Sequence, residues 1–335
     1  GPVTTLEDDV LKEFIQSSQT QNALWVNVHQ VQTKNPNQFN SSNISFEQAK
    51  AFADKFSVNL TFDCLDKLAA CDEVDAVYIA SPNSFHAPQS IKMMKHGKHV
   101  ICEKPIASNY QEAQLAYQTA QENNVVLFEA FMSPYLPNFQ QIKSHLPSLG
   151  AIRKVHITYC QYSSRYPKYL NGENPNTFNP EFSNGSIMDI GFYCVGSMVE
   201  LFGEPTSIQA QAHLLDSGVD GNGSIICGYD GFDVVVMHSK TSDSYVPSEI
   251  QGEEGAILTE MISIGQKVTK VNRGGETEDL TLEQNANPMF YEALKFAEQV
   301  ELNQMDMQAV ERSLLISKVT TEIRKQTGVV FPADS

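Results

Sequence analysis

From about residue 45 to residue 130, short apolar runs alternate with segments of helical spacing, and this alternation constrains the fold more than any other feature of the chain. The runs "DAVYIA" (75–80), "HVIC" (99–102) and "VVLF" (125–128) are too short for helices. They are also too continuously apolar for strands with one wet face, so they read as strands buried on both sides. Before and between them lie helices. "SFEQAKAFADKF" puts Ala49, Phe52, Ala53 and Phe56 on one helical face, with Ser45 and Gln48 as its capping box. A helix through "QSIKMMKH" stops at Gly97, where a C′ glycine belongs. "SNYQEAQLAYQTAQENN" is a further helix, with Ser108 and Gln111 as its capping box. Strands alternating with helices in this way mean βαβ units and a parallel sheet.

Parallel strands finish along one edge of their sheet. That edge receives "SPNSFH" (81–86), "EKP" (103–105) and "EA" (129–130). Open parallel sheets bind ligands just beyond the carboxyl ends of their strands. Three polar clusters, distant in sequence, are therefore expected around one crevice.

Beyond residue 130 the period changes. "VHITYCQY" (155–162) and "TSIQAQAHLL" (206–215) alternate with period 2, and "GSIICGYDGFDVVVMHS" reads as a hairpin turning at Asp230-Gly231. A helix is expected over "SIMDIGFYCVGSMVELFG" (186–203), and two more near 288–302 and 305–326. This half reads as α+β on a largely antiparallel sheet. The one biased segment, 30–44, is an Asn/Gln/Ser-rich loop.

Composition narrows the function. A chain of 335 residues has room for two domains, and 41% hydrophobic with 19% charged residues is ordinary for a globular protein. The net charge of -17, from 40 acidic against 23 basic residues, repels phosphate backbones and anionic lipid, which argues against nucleic-acid and membrane partners. No run of 18 apolar residues and no N-terminal apolar segment suggests a membrane span or a secretory signal. Gly1-Pro2 reads as a protease-cleavage remnant. The six cysteines are scattered, without a C-x-x-C pair, as reduced thiols of a cytoplasmic protein are. The close pair His96 and His99 straddles Gly97 at a helix end, so no metal site is expected.

Three residues stand out as chemistry. Lys104 has an apolar strand behind it and Pro105 ahead, which restricts its backbone. A turn lysine in water is the plain reading. A lysine partly desolvated beside a ligand can instead exchange protons near neutrality. Glu103 is either its counter-ion or turned away. Asp189 and Tyr193, four apart, share a face of the expected 186–203 helix. They are either a first-turn acid and a packing ring, or a carboxylate that orients a hydroxyl substrate and a phenol that moves its proton.

"VDAVYIASPNSFHAPQSIKMMKHGKHVICEKPIA" (74–107), "EAFM" (129–132) and "NGSIMDIGFYCVGSMVELFGEP" (184–205) together resemble the Gfo/Idh/MocA oxidoreductases. "YSSRY" (162–166) and "NPEF" (179–182) are similar to the dihydrodiol dehydrogenase-like bacterial members. The resemblance implies an α/β Rossmann-like N-terminal domain with a parallel sheet over 1–130. It implies an α+β C-terminal domain with a largely antiparallel open sheet over 131–335, for substrate binding and oligomerisation. The implied cofactor is NAD or NADP, exchanging hydride with a sugar, polyol or diol. Lys104 and Tyr193 would handle the proton and Asp189 would position the substrate. Ser81, Pro82, Asn83 and His86 would line the cofactor's ribose and phosphates, and Glu103 and Glu129 would flank the nicotinamide. Arg165 and Tyr162 would contact the substrate. A homodimer or homotetramer acting on a small polyhydroxylated molecule is expected, without metal.

The amino-terminal stretch departs from that pattern. No glycine lies between Gly1 and Gly97, whereas the family opens with a glycine-rich turn that lets backbone approach the pyrophosphate. "TTLEDDVLKEFIQSS" reads as a helix starting with Glu7, Asp8 and Asp9, acids that would repel a phosphate. "ALWVNVHQ" (23–30) reads as a strand, yet no ribose-binding acid ends it and Lys34 is the nearest base. Ser133 stands where many relatives carry a bulkier or basic residue. Two readings stay open: an NAD(P)-dependent enzyme, or a ligand-binding or regulatory protein of the same fold with impaired cofactor binding.

Overall fold

The computed structural model describes Thr61, Phe62 and residues 64–335. The expected helices at 4–18 and 45–56, the strand at 23–30, the 30–44 loop and Lys34 lie outside the described residues. In chain order the first half contains α1 (Leu65–Ala69), β1 (Ala76–Ile79), α2 (His86–Met94), β2 (His99–Glu103), α3 (Tyr110–Glu122) and β3 (Leu127–Ala130). The second half begins with α4 (Pro137–His145), β4 (Ile152–Cys160), α5 (Tyr166–Leu170), α6 (Ser186–Asp189) and α7 (Gly191–Phe202). Next come β5 (Ser207–Leu214), β6 (Asp220–Tyr229), β7 (Phe232–Ser239), β8 (Ser248–Gly252), β9 (Gly255–Glu260), β10 (Lys267–Asn272) and β11 (Thr277–Asp279). The helices α8 (Phe290–Leu302) and α9 (Met307–Thr327) close the chain.

The three short apolar runs form a parallel sheet in the order β1-β2-β3, with Val77 opposite Val100 and Cys102 opposite Glu129. Successive side chains of a strand point to opposite faces. Val77, Ile79, Val100, Cys102 and Leu127 accordingly pack with α2 and α3. Ala76, Ile101, Phe128 and Ala130 pack on the other face with Ala293 and Phe296 of α8. Both faces are dry, which is why these strands lack polar alternation.

Helix α3 starts one residue later than the sequence suggests. Its N-cap is Asn109, whose Oδ1 accepts the Glu112 N–H at 3.0 Å, while Glu112 Oε2 accepts the Ser108 N–H at 3.0 Å. Ser108 is buried, and its hydroxyl accepts from Ser183 Oγ at 2.8 Å. An asparagine in extended backbone with an acid three residues on makes the better cap.

The second sheet runs β11-β10-β9-β8-β4-β7-β6-β5, antiparallel throughout except where β4 pairs β7 in parallel. The hairpin between β6 and β7 turns at Asp230-Gly231, with Tyr229 opposite Phe232 and Gly231 at φ +83°, a conformation that suits glycine. One face carries α7 and α9 on a core that includes Val195, Met198, Ile225, Val234, Val236 and Ile316. The opposite face leaves Ile226 47% exposed. Gly196 of α7 lies against Phe131, whose ring carbon Cζ is 2.6 Å from where a Cβ would stand, so only glycine lets this helix approach.

Helix α9 returns to the first sheet, with Val310 in the same apolar cluster as α2 and α3. Near its end, Arg324 ties three segments together. Its guanidinium donates to Val329 O (3.1 Å), Ser108 O (2.9 Å) and both carboxylate oxygens of Asp334 (2.7 and 3.0 Å), and it stacks on Phe331. Asn109 Nδ2 donates to Ala333 O at 2.8 Å, so the start of α3 also grips the tail.

All six cysteines are free. Among the described residues no group of three or more His, Cys, Asp or Glu could hold a metal ion. No single helix among them is long and apolar enough to cross a membrane. The segments 180–189 and 191–202 would be so together, but they are bent by 56°.

Candidate active site

The carboxyl end of β2 delivers Glu103 and then Lys104, with a cis peptide bond to Pro105. The Lys104 side chain is 11% exposed and points into the second half of the chain. Its Nζ donates to Asp189 O at 2.8 Å and to Asp189 Oδ1 at 3.0 Å, and lies 4.7 Å from the centroid of the Tyr193 ring. The structure thus brings together all three residues that the sequence marks as chemistry.

The way it does so differs from the single helix expected over 186–203. The segment breaks at Ile190 into α6 and α7. Tyr193 N–H donates to Ile190 O rather than to Asp189 O, four residues back. The Asp189 carbonyl is therefore open, and Lys104 takes it. Gly191 permits the break, since a Cβ there would stand 3.0 Å from Ile187 Cδ1 and 3.1 Å from His238 Cγ.

Lys240, just past β7, donates from Nζ to the other carboxylate oxygen, Asp189 Oδ2. Burial alone would push the Asp189 carboxyl up. The adjacent ammonium groups of Lys240 and Lys104 overcome it and hold the carboxyl well below the usual carboxylate range. Tyr193 is shifted the other way: burial, then the charges of Glu103 and Glu292, push its phenol well above the usual value. It holds its proton. Its ring is flanked by Phe131, Tyr159 and Phe192 at centroid distances of 6.2, 5.9 and 6.2 Å. Glu103 is half-buried, and its Oε1 accepts from Tyr78 OH. Glu292 of α8 is 2% exposed, and its Oε2 has no hydrogen-bond partner among the described residues. Burial and then the Glu103 charge drive this carboxyl well up, against the pull of Lys104.

The expected cofactor-side residues divide into two groups. Ser81, Pro82 and Asn83 follow β1 at the binding edge. Ser81 Oγ donates to Gln89 Oε1 at 2.8 Å, and Asn83 Nδ2 reaches across to Ser183 O at 3.0 Å. His86 and Glu129 instead brace the Lys104 segment from behind. The buried His86 ring lies 2.7 Å from both Pro105 O and Ser81 O, and burial, with the Lys104 charge, lowers its basicity. Glu129 Oε1 accepts the Ile106 N–H at 2.7 Å, and burial pushes its carboxyl up to about 7 despite that bond, the Ser313 hydroxyl and the Arg312 charge. Tyr162 and Arg165 sit on a segment joined to Lys240 through Ser163, whose N–H donates to Lys240 O at 2.9 Å. Tyr162 packs edge-on against Tyr166.

Lys240, Glu292 and Tyr159 were not singled out in the sequence. For Lys240 a cue was present: a lysine directly after the strand "DVVVMHS" stands at a sheet edge, as Lys104 does.

Beneath α6, Asp220 Oδ2 accepts the Ile187 N–H at 2.7 Å, and burial pushes its carboxyl up to about 6. An acid with a folded value above its unfolded value of 3.8 is neutral in both states at low pH. It loses folded-state stability as pH rises through 4 to 6, on the order of 3 kcal/mol in all. Chemical unfolding at stepped pH should show this loss as a difference between the native chain and Asp220→Asn, since neighbouring His238, lowered to about 3 by burial, gains stability over the same range in both. Parallel profiles would contradict it.

An ammonium, a carboxylate and a protonated phenol thus meet at the binding edge of a parallel sheet. Ser81 and Asn83 after β1 and Lys104 after β2 put a hydroxyl, an amide and an ammonium on one edge of that sheet, groups that can hydrogen-bond a dinucleotide, while the amino-terminal stretch that lacks the glycine-rich turn lies outside the described residues. Residues 28–131 match the oxidoreductase family with an NAD-binding Rossmann fold, and 140–258 match the GFO/IDH/MocA C-terminal domain. The chain is 55% identical to YgjR of Escherichia coli, an uncharacterised oxidoreductase, over 87% of this chain and 89% of that one. It is 46% identical to IolU of Bacillus subtilis, an NADP(+)-dependent scyllo-inositol 2-dehydrogenase, over the same shares. Its fold is similar to that of the 3-ketoreductase KijD10 of Actinomadura kijaniata with NADP and TDP-benzene (TM-score 0.78, 19% identity, 94% and 93% of the two chains). It is also similar to that of levoglucosan dehydrogenase with NADH and L-sorbose (TM-score 0.75, 19% identity, 84% and 85%). The chain belongs to the Gfo/Idh/MocA family of NAD(P)-dependent oxidoreductases.

Proposed function

We propose that this chain interconverts a CH–OH group and a carbonyl on a small cyclic polyol or sugar, with Lys104 and Tyr193 handling the proton and Asp189 positioning the substrate. The observation that carries this reading is Lys104 Nζ, bonded to Asp189 and set over the Tyr193 ring. The nicotinamide, when bound, accepts or returns the hydride. In the reducing direction the carbonyl oxygen needs a proton. The Tyr193 phenol, kept protonated by its surroundings, donates it, and the Lys104 ammonium stabilises the developing negative charge. In the oxidising direction the hydroxyl proton passes to Lys104 in its neutral amine form, and the lysine then gives it up to water. Asp189, ionised and already oriented by two lysines, can accept a hydrogen bond from a neighbouring hydroxyl of the substrate.

The 46% identity to a scyllo-inositol dehydrogenase supports a cyclic polyol. The outward face of the second sheet, where Ile226 is exposed, supports a homodimer or homotetramer as its cover. The stretch without glycine before Gly97 favours the second reading, a ligand-binding or regulatory protein. One experiment separates the two: scyllo-inositol is incubated with NADP(+) and, in parallel, with NAD, and reduced nicotinamide is followed by absorbance. Turnover that disappears in Tyr193→Phe is expected. No binding of NADPH or NADH at millimolar concentration, read by fluorescence, would favour the second reading.

A further inference from the structure

Asp189 is held by two lysines from different sheets. Lys104 arrives from the end of β2 and Lys240 from the end of β7. Lys240 is 7% exposed, and its backbone is pinned on both sides: its N–H donates to Gly221 O at 2.9 Å and its carbonyl accepts the Ser163 N–H at 2.9 Å. It lies directly after Ser239, the last residue of β7 paired with β4. Its position is thus fixed by the sheet and owes nothing to side-chain flexibility.

Burying an ammonium is costly unless it is paired. One lysine would suffice to neutralise Asp189, and Lys104 already does so. The second leaves the cluster of Lys104, Asp189 and Lys240 with one net positive charge, on two buried ammonium groups around a half-buried carboxylate. A carboxylate facing Lys104 alone would hold the proton on that lysine, whereas a carboxylate shared with another cation holds it less firmly. The remaining groups that face the cluster are Tyr193 of α7, Tyr159 of β4, Glu103 of β2 and Glu292 of α8, with Glu129 of β3 and His86 of α2 behind Lys104. Tyr193 keeps its proton, burial pushes the Glu292 carboxyl well up, and Glu103 accepts from Tyr78 OH. Lys240 is therefore the second full positive charge set against Asp189.

We propose that Lys240 is a positioning residue of the proton-transfer site: it fixes Asp189 Oδ2 so that Oδ1 and the Asp189 carbonyl aim Lys104 over Tyr193, and its charge offsets Asp189 so that Lys104 can release its proton. This role rests on the reading given under Proposed function.

The test uses the full chain with Lys240→Met, which keeps the stem and removes the charge, and Lys240→Arg, which keeps the charge. The protonation of Lys104 is read without cofactor or substrate, from its rate of acetylation by acetic anhydride as a function of pH, measured by peptide mass spectrometry. In Lys240→Met the half-point of Lys104 labelling is expected to move upward by about one pH unit. In Lys240→Arg it stays close to that of the native chain. In turnover of scyllo-inositol with NADP(+), Lys240→Met is expected to lose about 10- to 100-fold in kcat at neutral pH, with a smaller change in KM and partial recovery at higher pH. A labelling profile in Lys240→Met that superimposes on the native one overturns the role. Should Lys240→Met not fold, Lys240→Gln carries the same expectation and the same power to refute. If Lys104→Met is inactive while Lys240→Met leaves the Lys104 profile unmoved, the role of Lys240 fails alone. If Lys104→Met turns over like the native chain, the reading of the whole site fails, and this role with it.

Discussion

Lys104→Met is expected to lower kcat/KM by about 10²- to 10⁴-fold, the span over which a positioned acid–base group contributes. The affinity for NADPH should change no more than a few-fold. Methionine fills the volume of the lysine stem and carries no proton. Asp189 would still have Lys240 on its second oxygen, so the half-buried carboxylate would not be left without a cation. The local structure at Ile190 should therefore survive, and the loss should be one of chemistry. Steady-state kinetics together with a fluorescence titration of NADPH separates the two. A loss confined to KM would mean that the lysine only binds. A loss of NADPH affinity in step with turnover would place it on the cofactor instead of the reacting oxygen.

Arg324→Met is expected to destabilise the fold by about 3–5 kcal/mol, the usual penalty for breaking a buried ion pair from one side. Four hydrogen bonds leave with the guanidinium, to Val329 O, Ser108 O and the two oxygens of Asp334. The carbonyls of Ser108 and Val329 would lose this donor, and the tail would remain attached through Asn109. The measurement is urea unfolding of the native chain and the variant, followed by circular dichroism. A change below 1 kcal/mol would show that the tail contributes little. Asp334→Asn should cost much less, because its carboxylate is partly open to water and the asparagine oxygen can still accept from the guanidinium.

Much of the architecture is legible in the sequence because two periodicities carry it. Continuous apolar runs of four to six residues give the doubly covered parallel sheet. Alternation with period 2 gives the open sheet, and the Asp230-Gly231 hairpin follows from turn chemistry. The motif at Lys104 could be placed on the binding edge because parallel topology dictates which strand ends converge. The break at Ile190 could not be read. The apolar spacing on either side of it is continuous, and only the close approach of Gly191 to Ile187 and His238 reveals why the helix stops. The direction of Glu129 was within reach. Leu127 and Glu129 share a strand face, and Leu127 packs towards α2 and α3, so the carboxylate follows it into the interior. Lys240 was hidden for a different reason. It is 51 residues from Asp189 in sequence, and only the packing of α6 and α7 against β7 brings the two together.

The parallel pairing of β4 with β7 also orders events during folding. Lys154 stands opposite Asp233, 79 residues away, and the intervening chain contains α5, α6, α7, β5 and β6. The entropy of closing so long a connection opposes pairing until the contacts on both sides form together. Asp189 and Tyr193 lie inside that connection, and Lys240 lies immediately after it. Two of the groups that would move the proton thus depend on a long-range pairing in the second sheet, while the segment bearing Lys104 belongs to a local βαβ unit. Refolding followed by pulsed hydrogen exchange should find the amides of β1 and β2 protected before those of Ile187 and Tyr193, so that the lysine is in place first and waits for its partners.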